Sequence, residues 1–204
     1  MSFRRTIVAA GALLSVAALL AGCSGTGTTK AGPTDASAPA SASSAPTPTV
    51  GGPADEAAAY SAANKLINAY LLEQAKVYAE PDKGVSTLTK FETGAALSID
   101  QEGTSAFVKA GMYTDGGATS WAPIASKTTY SDSKNPVSGS VTPNGSVQLT
   151  GCLHDASKTL TKSGQKPTST VDPDYAAIYT VNYSDSQHNW FIVNYSNEVP
   201  GLSC

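Results

Sequence analysis

The stretch Val147-Gln148-Leu149-Thr150-Gly151-Cys152-Leu153-His154-Asp155 decides how this chain is read. Val147, Leu149, Gly151 and Leu153 fall on one face of an extended backbone, and Gln148, Thr150, Cys152 and His154 on the other. That is the period-two alternation of a half-buried strand. Gly151 inside it marks either a bulge or a close approach of another backbone. Cys152 has Cys204, at the far end of the sequence, as its candidate partner. Everything after the strand is therefore expected to fold back onto it.

Downstream lies a polar connection, Ser157 to Asp172, with Gly164 and Pro167, and then two further strands. Tyr175, Ala177, Tyr179, Val181 and Tyr183 share one face of the first. In the second, Trp190, Ile192 and Asn194 alternate with Phe191, Val193 and Tyr195. The short polar link Ser184 to Asn189 makes these an antiparallel hairpin.

Upstream, the region from Trp121 reads as beta, with a strand expected over Ile124 to Tyr130 and a short one over Val137 to Val141. Pro143-Asn144-Gly145 reads as a turn before the central strand. Before Trp121 the pattern is helical. Tyr60, Ala63, Ile67, Tyr70, Leu71, Ala75 and Tyr78 recur at helical spacing. Asp55 and Glu56 suit the start of that helix, and Pro81 and Gly84 end it near Ala79. Val85 to Phe91 is expected to form one or two helical turns. Ala95 to Met112 holds no clean apolar period, and a helix is assigned there only over Thr104 to Met112.

The N-terminus has another character. Arg4 and Arg5 precede an apolar run from Ile7 to Leu20, and Leu20-Ala21-Gly22-Cys23 follows. A positive region, a short apolar segment and a small-residue cleavage site describe a secretory signal, too short to count as a spanning helix. Leu20-Ala21-Gly22-Cys23 resembles the lipobox of bacterial lipoproteins. The resemblance implies that the Cys23 thiol takes diacylglycerol and becomes the new N-terminus. Acyl chains at one residue then hold the protein to the extracytoplasmic face of the cell membrane. Residues 1–22 are thus expected to be a signal peptide and 23–52 a lipidated Ser/Thr/Ala/Pro tether. The tether contains no aromatic residue and too little apolar surface to offset its ordering entropy. The folded domain is expected over 53–204.

From Ala54 onward there are fifteen acidic residues, ten lysines and no arginine, a formal charge of −5. Nucleic-acid binding depends on Lys and Arg neutralising phosphates, so that class is excluded. With Cys23 lipidated, Cys152 and Cys204 remain as an even pair in an exported chain and are expected to form a disulfide. Cys152, His154 and Asp155 would supply only part of a closed zinc site, and no C-x-x-C or H-x-x-x-H pair completes one. No metal or other cofactor is expected.

For chemistry, His154 is the candidate general acid or base, with Asp155 or Asp174 to orient it. A partly exposed histidine at a strand end is the preferred reading. His188, in the hairpin link, is expected to be solvated. Tyr60, Tyr70, Phe107, Trp121 and His154 are the residues that would line a pocket, although an aromatic stripe on a helix is more often core. There is no G-x-S-x-G elbow, phosphate loop or dinucleotide fingerprint.

The order of long helix, shorter helical pieces and antiparallel sheet resembles the NTF2-like, or cystatin-like cone, fold. The central strand, a polar loop with Gly164, a hairpin with Asn189-Trp190 and a terminal Gly201-x-x-Cys204 are similar to exported NTF2-like domains of actinobacteria, which include lipoproteins and Mce-associated proteins. The resemblance implies an α+β cone whose long N-terminal and short helices pack on a curved antiparallel sheet. It implies an envelope binding or accessory domain for a protein partner or an apolar small ligand. The alternative is an enzyme of isomerase or hydratase type, working in the cone cavity through His154 and a nearby carboxylate. Fold alone does not choose between them.

Overall fold

The computed structural model describes residues 52–117, 119–163, 174–197, 199 and 201–204. The expected signal peptide, Cys23 and almost all of the tether lie outside the described residues, as do residues 164–173 of the polar connection. The described chain is α+β, two helices on a curved antiparallel sheet. Among the described residues no helix is long and apolar enough to cross a membrane.

Helix α1 spans Glu56–Ala79. The Asp55 carboxylate caps it by accepting from the Ala58 backbone N–H at 2.7 Å, which satisfies one of the donors a helix start leaves unpaired. Ala59, Ala63, Ile67, Tyr70, Leu71 and Val77 form its buried stripe. Two 3-10 turns, Pro81–Lys83 and Leu88–Lys90, carry the chain to the second helix.

Helix α2 spans Gly94–Ala110, ten residues earlier than the expected start at Thr104. Its buried positions are Ala96, Asp100 and Thr104, spaced four apart. Two of those three are polar, so a search for apolar periodicity passes over the stripe. The helix ends at Gly111 in the left-handed conformation (φ 64°), which glycine adopts without a Cβ clash. Met112, expected inside the helix, starts strand β1, Met112–Thr114.

The beta region also differs in detail from expectation. The strand expected over Ile124 to Tyr130 falls mostly on a 3-10 turn at Ala125–Lys127: β2 (Thr119–Pro123) ends before it, and β3 (Thr129–Lys134) overlaps only the last two residues of the expected strand. Of the short strand expected over Val137 to Val141, Val137 and Ser138 lie in a turn and Val141 begins the next strand. In the turn the Asn135 side chain accepts from the backbone N–H groups of Val137 and Ser138. Strand β4 runs Val141–Asp155 and so contains Pro143-Asn144-Gly145. These residues mark a local irregularity within the ladder. Asn144 has φ 51°, its N–H is taken by the Asp132 carboxylate at 3.1 Å, and the β3–β4 register shifts there. Turn-forming residues can build a bulge as readily as a reversal when the partner strand continues past them.

Strand β5, Thr159–Thr161, pairs with β1. Strands β6 (Asp174–Ser184) and β7 (Asn189–Ser196) are the expected hairpin. β4 is the centre of the main sheet. β3 pairs with its first part and β2 with its last, along one side, while β6 pairs along the other. Gly151 marks a close approach. A Cβ there would sit 2.5 Å from the Ala122 carbonyl oxygen and 2.6 Å from the Trp121 ring. Trp121 therefore lies flat over the strand only because residue 151 has no side chain.

The core fills the space between the helices and the inner sheet face, with Val147, Leu149 and Leu153 of β4 meeting Tyr179 and Val181 of β6 and Ile192 of β7. Cys152 and Cys204 are disulfide-bonded, with their Cα atoms 5.7 Å apart.

Candidate functional site

Two groups of chemically capable side chains stand out, one on each side of the sheet. The first is buried. Asp100 of α2 is fully enclosed and accepts four hydrogen bonds. Tyr70 Oη donates to its Oδ2 at 2.5 Å. Gln74 Nε2 donates to Oδ1 at 2.9 Å, and Tyr78 and Tyr195 Oη each donate to Oδ1 at 3.2 Å. The donors come from α1 and β7, so one carboxylate joins three elements.

Gly103, one turn along α2, makes room for this. A Cβ there would lie 2.2 Å from Tyr78 Oη, so a side chain would push the hydroxyl off Asp100. Glycine inside a helix is unfavourable by roughly 1 kcal/mol relative to alanine, and here the lost propensity is exchanged for the hydrogen bond.

Glu92, just before α2, is buried to within 1 %. Neither of its carboxyl oxygens makes a hydrogen bond of ordinary length among the described residues. Burial first, and the Asp100 charge second, push its pKa from the usual 4.5 up to about 9. With no cation to offset two neighbouring carboxyls, one of them keeps its proton. Burial, then the nearby Asp100 charge, also raises the hydroxyl pKa of Tyr70, Tyr78 and Tyr195 well above the ordinary range, so all three remain neutral donors.

A pH dependence follows. The folded state holds a proton on Glu92 that the unfolded chain releases near 4.5. Its contribution to stability is therefore full below that pH, declines as pH rises toward about 9, and is lost above it. Glu92→Gln, which mimics the neutral acid, should flatten this decline and leave the variant more stable than the wild type at alkaline pH. Thermal melts across that range test it; parallel curves for the two proteins would show that Glu92 carries no extra proton.

The second group lies on the outer face of the sheet. His154 Nδ1 and Asp174 Oδ1 are 2.7 Å apart, with both side chains about half exposed. Of the two carboxylates expected to orient His154, Asp174 is the one in contact. Asp155 instead accepts from the Ser157 N–H at 2.9 Å and the Thr119 hydroxyl at 3.3 Å. In register, Ser120, His154 and Asp174 form a row across β2, β4 and β6. No hydrogen bond joins Ser120 to His154 among the described residues, so the row is not assembled as a nucleophile–base–carboxylate relay.

The residues expected to line a pocket are dispersed. Tyr70 and Trp121 share the interior, each edge-on to Tyr179 at 6.2 and 5.2 Å between centroids. Phe107 packs against Tyr78 at 5.0 Å. Tyr60 packs at the margin of the core, and His154 is on the opposite side of the sheet. Reasoning from sequence missed Asp100, Glu92 and Gln74. Two carboxyls eight residues apart in an irregular pattern carry no recognisable motif. The one available signal was Asp100 at helical spacing between Ala96 and Thr104.

An open cleft of about 550 Å³ adjoins the His154–Asp174 pair. One wall is the start of β6, with Asp174 and Ala176, and the other is the C-terminal segment, with Asn197, Val199, Leu202 and Ser203. Cys204 lies against this cleft, and its disulfide to Cys152 fastens that second wall to β4. Among the described residues, no group of three or more His, Cys, Asp or Glu is placed to hold a metal ion.

No family model matches the sequence, and no curated protein matches it. Among solved structures, the chain is similar to the intermembrane space region of chloroplast protein ARC6, with 15 % identity and a TM-score of 0.37 over 66 % of this chain and 92 % of that one.

Proposed function

We propose that this chain is a lipoprotein anchored through Cys23 on the extracytoplasmic face of a bacterial cell membrane. Its domain, of NTF2-like cone type, serves there as a non-catalytic binding module for an envelope component. The observation that carries the reading is the Cys152–Cys204 disulfide. Disulfides persist in oxidising compartments, and this one agrees with export signals at the opposite end of the sequence. The long helix against a curved sheet supports the cone. The aromatic interior is occupied by packed side chains, which favours recognition on the outer surface over an apolar ligand within.

Cys23→Ala should block lipid attachment and processing. On detergent phase separation, the wild type should enter the detergent phase and the variant should show neither lipid labelling nor mature size. A mature wild-type protein found wholly in the aqueous phase would end the lipoprotein reading.

The Glu92–Asp100 pair favours a second reading, chemistry in the interior, since a carboxyl of raised proton affinity beside a second carboxyl is a pattern acid–base catalysis uses. Against it, neither group reaches solvent, and His154 belongs to the other side of the sheet. Complementation of a deletion strain separates the two. Glu92→Gln should restore the cellular role in full if the domain binds, and should fail, at normal folding and surface level, if Glu92 is a proton donor in turnover.

A further inference from the structure

We infer that the cleft between β6 and the C-terminal segment is a binding site for a neutral saccharide, and that the Cys152–Cys204 disulfide assembles it. The inference rests on the binding reading above and names its ligand class.

The volume, about 550 Å³, falls within the range of small-ligand sites. The polar groups are those that serve sugar hydroxyls. The Asp174 carboxylate accepts from O–H groups, the Asn197 amide both donates and accepts across neighbouring hydroxyls, and the Ser203 hydroxyl does either. His154 steadies the Asp174 carboxylate from the rim at 2.7 Å. Val199 and Leu202 present apolar surface suited to the C–H face of a sugar ring.

Among the described residues that line the cleft there is no lysine or arginine, so an anionic ligand would find no counter-charge from them. The sheet face beside the cleft continues in the same character. Gln148 on β4, Thr180 and Asn182 on β6 and Asn194 on β7 are uncharged hydrogen-bonding residues, with Ile178 between Thr180 and Ala176 of the cleft.

The disulfide is part of the site because it fixes geometry. The second wall follows β7, and the bond to Cys152 ties it back to the sheet. An untethered terminal segment is poorly ordered, and a wall that must be ordered on binding weakens affinity.

The test is calorimetry on the full-length lipidated protein in detergent micelles, with chitotetraose as a fragment of an amino-sugar polymer and maltose as a free sugar. Saturable binding of either is expected, and the sugar that binds tells whether the source is a wall polymer or a free saccharide. Asn197→Ala, an exposed position outside the His154–Asp174 contact, should weaken binding about tenfold, the effect of losing one or two ligand hydrogen bonds. Asp174→Ala should weaken it at least as much. The Cys152→Ser/Cys204→Ser double variant, folded by circular dichroism, should lose binding, and Lys65→Ala on α1 should leave it unchanged.

No heat with either sugar overturns the inference, as does binding that survives both Asn197→Ala and the double cysteine variant. Should the sugars fail while the protein captures an envelope protein partner, the binding reading stands and the saccharide site falls.

Discussion

Asp100→Ala is expected to destabilise the domain by about 3–5 kcal/mol, since hydrogen bonds to a charged acceptor contribute about 1.5–3 kcal/mol each and several are lost with partial compensation. The carboxylate accepts from Tyr70, Gln74, Tyr78 and Tyr195, and each lost acceptor leaves a polar group in an enclosed site. An unpaired buried hydroxyl or amide costs about 1–3 kcal/mol. The sum is not simply additive, because Gln74 also donates to Tyr70 Oη at 2.6 Å and partly compensates. Asp100→Asn keeps the volume but replaces one acceptor oxygen by a donor, so it should be milder than alanine yet still clearly unfavourable. Tyr195→Phe removes a single 3.2 Å bond and should cost about 1 kcal/mol. Urea denaturation of the series is the measurement. A loss below about 1 kcal/mol for Asp100→Ala, at unchanged m-value, would mean that the network does not hold α2 to α1 and β7.

The disulfide is expected to give the next largest effect. Cys152 and Cys204 are 52 residues apart, and a loop of that length corresponds to about 4 kcal/mol of chain entropy removed from the unfolded state. Cys152→Ser and Cys204→Ser should lower the melting temperature by similar amounts, since each breaks the same cross-link. The intact wild type should weigh two protons less than its reduced form. Rapid labelling of both cysteines in native protein without reductant would contradict the bond. The pair clamps the chain end onto the central strand, so the loss should be felt most in hydrogen exchange of the last residues and of β6, which faces them.

The elements most legible in the sequence are those whose residues alternate by polarity. α1 shows its apolar stripe and its Asp55 start, the central strand shows its two faces, and the last hairpin shows two alternating runs around a polar link. Gly151 was legible as an anomaly, and the close approach of Trp121 and Ala122 is its cause. α2 was legible only in its second half, because Asp100 and Thr104 occupy core positions, and polar residues in a core break the pattern by which cores are recognised. Pro143-Asn144-Gly145 misled for the opposite reason. Local turn chemistry was strong, but β3 pairs on both sides of the segment, with Val141 and Thr142 before it and from Ser146 onward after it, and holds it in the sheet.

By itself the sequence determined the class of fold, the long first helix, the terminal hairpin and the cysteine pairing, because each depends on period, composition or parity within the chain. It also determined that the domain carries no arginine. Only the tertiary structure decided which carboxylate His154 meets, where Asp100 finds its four donors and how the C-terminal segment makes one wall of a cleft. Those contacts join residues up to 95 positions apart. Hydrogen bonds between side chains so far separated depend on how the helices and strands pack in space, and no local periodicity records that arrangement.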